Sequence, residues 1–167
     1  GSTTVAGNTG TNFTVLRLNH AEAIPGGIGA TGGTSNITLT ASAILGLGAG
    51  DFLRGLGAGP DQIRFQAAAN SGFAAYGGNR AVNFGGEGAT VTWGQAGFGT
   101  LVLGAQTADG TIDFQNPLNL GNGTTNRNVR VPDGAAAIDA VFSQTISSSG
   151  TGTLTKLGGG TLSLAAA

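Results

Sequence analysis

The chain has 167 residues, 33 of them Gly, with 9% charged residues, 40% hydrophobic residues, no Cys and a formal net charge of −1. That length suits one domain over 1–167 with a substantial core, and the scarcity of charge beside abundant Val, Ile, Leu and Phe excludes a disordered chain, as glycines without a three-residue period exclude collagen. Seven scattered Lys and Arg residues argue against nucleic acid as partner, no apolar run approaches the roughly 20 residues of a membrane-spanning helix, and the missing thiols remove disulfides and thiolate metal sites.

Taken in chain order, short segments with period-2 alternation predict strands with one buried face. They are "FTVLRL" (13–18), "NITLTA" (36–41), "QIRFQA" (62–67), "RAVNF" (80–84), "ATVTW" (89–93), "TLVLG" (100–104), "TIDF" (111–114), "PLNL" (117–120), "NVRV" (128–131), "IDAVFSQTI" (138–146), "TLTKL" (153–157) and "TLSL" (161–164). Turn clusters separate them, among them "GGNR", "GGEG", "ADG" and "GNGTTN", in which Gly, Asn and Asp supply positive φ at little cost. Only "AEAIP" (21–25) and "DGAAAIDA" (133–140) have a helical cast.

The fold class expected is therefore all-β, and the choice lies between a sandwich, a barrel and a solenoid. Apolar residues return at like positions inside, and Thr, Asn, Gln and Ser return outside. Stacked parallel coils use sequence in this way, because each coil presents similar side chains to the one below. Charge is then scarce for a physical reason: like charges on neighbouring coils repel, whereas Thr, Asn and Ser ladders are neutral. Alternation assigns to the interior Leu18, Ile37, Leu39, Ile63, Phe65, Val82, Phe84, Val91, Trp93, Leu101, Leu103, Ile112, Phe114, Leu118, Leu120, Val129, Val131, Leu154, Leu162 and Leu164.

The stretch "SSSGTGTLTKLGGGTLSL" carries Gly150, Gly152, Leu154, Lys156, Gly158, Gly160, Leu162 and Leu164 at the spacing Gly-x-Gly-x-Leu-x-Lys-x-Gly-x-Gly-x-Leu-x-Leu. Over 150–164 it resembles the autotransporter-associated β-strand repeat. The upstream segments "FTVLRLNHAEAIPGG", "SGFAAYGGNRAVNFGG", "ATVTWG" and "TADGTIDFQNPLNLG" look like the sequence that precedes that repeat in very long bacterial surface proteins. The resemblance implies a right-handed parallel β-helix passenger displayed outside the cell. The family usually continues into a Ser-Gly-x-Asn-x-Tyr-x-Gly stretch and further coils, whereas here "AAA" follows the last Leu. The opening "GSTTV" lacks the basic and apolar blocks of a signal peptide, so a leader is expected to be removed or to lie outside this chain.

Several residues invite a chemical reading. His20, the single histidine, precedes Glu22 by two residues, but a metal site wants three or more ligands, and a surface loop is expected. Asp109, Asp113, Asp133 and Asp139 are the best carboxylate cluster for glycoside hydrolysis, which needs a converging pair; Asp109 and Asp133 read better as turn residues. "LGAGPDQIR" (56–64) fits part of a Gly-rich calcium nonapeptide, but no adjacent copy completes it. The triplets 38–40, 90–92 and 153–155 raise the idea of a threonine face that orders water. Asn12, Asn36 and Asn122 begin Asn-x-Thr sequons, with Asn122 the best glycan candidate because its loop reads as exposed. Lys156 reads as an outward charge that interrupts a sticky strand.

Neither end shows a capping repeat, so Ser2, Thr3, Thr4 and Val5 at one end and Thr161, Leu162, Ser163 and Leu164 at the other are expected to be open strand edges able to take a further chain. The function expected is a non-enzymatic structural or adhesive module of an exported bacterial surface or extracellular protein. It works without metal or cofactor, and its partners are copies of itself end to end, or surface glycans. A β-helical carbohydrate-active enzyme or glycan binder is the alternative.

Overall fold

The computed structural model describes residues 1–8 and 12–166. Of the neutral N-terminal run 1–15 and the final alanines, residues 9–11 and Ala167 thus lie outside the described residues. The chain winds as a parallel β-solenoid of about five turns. β1 (Ser2–Ala6) and β2 (Thr14–Leu18) begin it, and β3 (Asn36–Thr40) and β4 (Ala43–Leu47) lie on the next turn. Then come β5 (Gly55–Leu56), β6 (Gln62–Phe65), β7 (Ala69–Ala75) and β8 (Arg80–Val82). β9 (Val91–Thr92) leads through a single helical turn, α1 (Trp93–Ala96), into β10 (Phe98–Leu103) and β11 (Ile112–Phe114). Two three-strand coils follow: β12 (Leu118–Asn119), β13 (Arg127–Arg130) and β14 (Ala140–Phe142), then β15 (Ile146–Ser147), β16 (Leu154–Leu157) and β17 (Leu162–Leu164).

Four parallel sheets result. A long sheet, β2-β4-β7-β10-β13-β16, runs the whole length; an aromatic sheet is β8-β11-β14-β17; an early sheet is β1-β3-β6-β5; and a late sheet is β9-β12-β15. Successive register partners along the long sheet (Val15, Ile44, Gly72, Val102, Arg130 and Leu157) lie 29, 28, 30, 28 and 27 residues apart in turn. That near-constant coil length puts like side chains above one another without any exact sequence repeat.

The interior is a set of columns. The aromatic sheet stacks Phe52, Val82, Phe114, Phe142 and Leu164, one per coil. Phe114 has its ring 5.8 Å from Phe84 and 5.4 Å from Phe142, both edge to face, an arrangement that adds to the apolar burial. Of the twenty residues that alternation assigns to the interior, seventeen belong to one buried cluster, and Leu154 and Leu162 pack against it. Leu164, on the same inward column, is 63% exposed, because no strand follows β17 in its sheet.

Five segments depart from the sequence pattern. β4, "AILGL", is buried at all five positions, and β7 is buried at six of seven. Neither alternates, so neither reads as a half-buried strand. The segment 89–93 gives way to helix at Trp93, where Gly97 takes the left-handed C-cap conformation (φ 79°) and the Trp93 indole N–H donates to the carbonyl of Phe98 at 3.1 Å. "DGAAAIDA" is no helix: it wraps the buried carboxylate of Asp139, which accepts from the amides of Gly134 and Thr161, each at 2.8 Å. "AEAIP" forms turns rather than helix.

The repeat-like segment builds the last coil, and its glycines have one task. Gly158 turns the corner at φ +86°, with the Val131 carbonyl of the preceding coil directly beneath. A Cβ at Gly150, Gly152 or Gly160 would likewise strike backbone of that coil. Lys156 is exposed, as a charge should be, but it pairs in register with Val129, which pairs with Leu101, so it extends a core-facing column at the last coil. Its parity with Leu154 dictates this, and its ammonium turns back to the Gly158 carbonyl at 2.8 Å.

Candidate functional site

The long sheet supplies the site because the middle of its outer face is apolar and covered. Ile44, Ala74, Tyr76, Val102, Ala105 and Ala108 form a second buried cluster, against which Phe13 and Val15 pack. Gly46 makes room: a Cβ there would lie 2.8 Å from the Tyr76 ring. The guanidinium of Arg17 sits 4.5 Å from that ring's centre, and the Tyr76 hydroxyl is 2.7 Å from that of Thr107. The N-terminal segment at 12–15 and the corner loop at 105–107 thus rise above the sheet as walls.

Between them runs a groove of about 570 Å³ lined by Asn12, Phe13, Val15, Ala105, Gln106, Thr107, Arg130, Pro132, Asp133, Gly158 and Gly159, a volume in the range of ligand sites. Val15 lies on one edge strand, β2, and Gly158 and Gly159 follow the other, β16. Arg130 interrupts an otherwise apolar outward column of Val15, Ile44, Val102 and Leu157. It is half-buried. Sequence alternation places Arg130 outward but could not show the groove, because the two walls come from segments ninety or more residues apart, 12–15 and 105–107. The available signal was the loss of alternation in "AILGL" and "GFAAY", which marks strands buried on both faces.

The polar groups elsewhere are spent on the fold. Arg54 is fully buried and donates to the carbonyls of Pro25, Gly27 and Ser35 at 2.7, 2.7 and 2.6 Å. Burial pushes its guanidinium below the usual arginine value, against the opposing charges of Asp61 and Glu22. The Asn116 amide nitrogen bonds the carbonyls of Phe84 and Ala89, and its oxygen accepts from the Phe84 amide.

The candidates from the sequence separate accordingly. The four aspartates are differently employed: Asp139 is buried on backbone amides, Asp109 accepts from Gly77 in a turn, and Asp113 faces outward on the aromatic sheet between Ala81 and Val141. One Asp113 oxygen accepts from Gln115 and the other has no partner. Asp133 alone reaches the groove. His20 accepts from the amide of Glu22 on an exposed turn, and no group of three potential metal-ligating side chains occurs among the described residues. The carbonyls of Gly57 and Gly59, which a calcium roll would turn to its ion, accept instead from Asn36. That contact also corrects the glycan candidate at Asn36, whose side-chain nitrogen is buried and gives a third bond to Gln62. Asn12 and Asn122 are exposed. The threonine triplets fall on the early, late and long sheets in turn, so they make no common face.

Comparison of the chain with family models, with curated proteins and with solved structures finds no match.

Proposed function

We propose that the chain is a non-enzymatic structural or adhesive module of an exported bacterial surface protein, of the kind that its 150–164 segment resembles. The observation that carries the reading is where its chemistry has gone. The buried Arg54, Asn36, Asn116 and Asp139 are hydrogen-bonded to backbone groups of the fold, while the long sheet continues through six strands. Such a molecule acts by stiffness and by the surface it displays.

The edge strands extend this reading. β1 pairs only with β3, and β17 only with β14, so residues 2–5 and 161–164 each present an unpaired edge to the next coil of a longer chain or to another copy stacked end to end. A carbohydrate-active alternative would draw on the groove, but there Asp133 is the single carboxylate, and hydrolysis by an acid–base pair needs two.

The test is to incubate the protein with plant, algal and bacterial polysaccharides and measure new reducing ends. None are expected. Turnover that disappears in Asp133→Ala or Asp113→Ala would overturn the non-enzymatic reading.

A further inference from the structure

We propose that the groove on the outer face of the long sheet binds a short, neutral oligosaccharide, the ligand through which the adhesive part of the reading above would act. Three observations converge. The groove is framed by Asn12, Phe13 and Val15 of the N-terminal segment and by the corner residues that follow β10, β13 and β16. Its volume of about 570 Å³ is that of a small-ligand site and takes an oligosaccharide of a few sugars.

Its polar groups are uncommitted. Arg54, Arg64, Arg80, Arg127 and Lys156 each hydrogen-bond within the fold, and Arg17 lies on Tyr76. Arg130 is the cation without such a partner among the described residues, and Asn12, Gln106 and Asp133 in the same groove have none either. A half-buried guanidinium left unpaired on an apolar column gains most from a ligand that supplies oxygens.

The mixture selects the ligand class. One cation and one anion, Arg130 and Asp133, cancel, which opposes polyanions and polycations alike. The guanidinium donates to hydroxyl oxygens, the carboxylate accepts from hydroxyl protons, and the amides of Asn12 and Gln106 do both. The half-buried ring of Phe13 and the Pro132 ring offer apolar surface to the C–H faces of a sugar. The second groove, of about 330 Å³, is a weaker candidate because its Arg127 and Asn119 are already bonded within the fold.

The experiment is a binding array carrying neutral di- to octasaccharides, uronate- and sulfate-bearing oligosaccharides of matched length, and uncharged Ser/Thr-rich peptides. It is probed with the intact protein and with Arg130→Gln, Asp133→Asn and, as a control in the second groove, Gln95→Ala. The expected result is retention of neutral oligosaccharides, rising with length up to a few sugars. Arg130→Gln and Asp133→Asn should each lose about tenfold or more in affinity without a change in melting temperature, and Gln95→Ala should bind as the parent does. Retention of no neutral oligosaccharide, preference for the charged glycans or the peptides, or binding indifferent to both groove variants would overturn the proposal. Loss of this binding leaves the structural reading intact, whereas release of reducing ends from a bound oligosaccharide overturns the non-enzymatic reading and leaves the groove standing.

Discussion

Arg54 shows how single residues hold this fold. Its planar fork reaches three carbonyls of the 25–35 excursion with a geometry that neither an ammonium nor an amide reproduces. Arg54→Leu should cost about 3 kcal/mol or more, measured by denaturant unfolding, because the carbonyls of Gly27 and Ser35, both in buried hydrogen bonds, lose their donor at once. Since burial lowers its folded pKa below the unfolded one, the desolvation cost is fully present below the folded value and is relieved only as pH rises through it; Arg54 should therefore contribute no pH dependence near neutrality. Ser71 is the opposite case. It is fully buried on a core-facing column below Leu101, and its hydroxyl has no partner. Ser71→Ala should be neutral or stabilising by up to about 1 kcal/mol, and a loss of more than that would mean the hydroxyl is satisfied. These roles were not legible in the sequence. A sequon at Asn36 and a basic residue at 54 look like surface features until the neighbouring coil supplies carbonyls for them.

At the level of elements, the alternating strands were legible because one face of each is wet. "IDF" in β11 is buried, half-buried and buried in turn, and its inward assignment follows from that parity alone. β4 and β7 were not legible, since a strand covered on both faces has no alternation to read, and the cover comes from distant residues such as Phe13. Lys156 marks a different limit. Its charge suggested the outer face, yet its parity with Leu154 already put it on a core-facing column. The columns make a graded prediction for large-to-small changes. Phe114→Ala, with no exposed surface and aromatic neighbours on both sides, should cost about 3 to 5 kcal/mol. Leu164→Ala, on the same inward column at its exposed end, should cost less than about 0.5 kcal/mol. Equal losses would show that β17 is covered in solution.

For the whole molecule, stacking makes stability nearly one-dimensional: each coil depends on its neighbours, and the ends decide association. At the β16–β17 edge, Leu164 offers apolar surface, while Lys156 on a core-facing column resists stacking, a known way of blunting an edge. Light scattering should therefore find Lys156→Leu more associated than the parent, and the double variant Leu162→Asp and Leu164→Asp less so. A parent that is monomeric at every concentration, and unchanged by Lys156→Leu, would remove end-to-end assembly. The solenoid class was legible at this scale because the same residue types return at like positions. The groove was not, because it is assembled from segments that only the winding brings together.

The most direct test of the central claim, that this solenoid works as a displayed scaffold, is to label intact cells that make the native protein with an antibody raised against residues 1–167 and view them by electron microscopy. Label on slender structures at the outer surface is the result expected. Label confined to the cell interior, appearing only after the cells are opened, would contradict it.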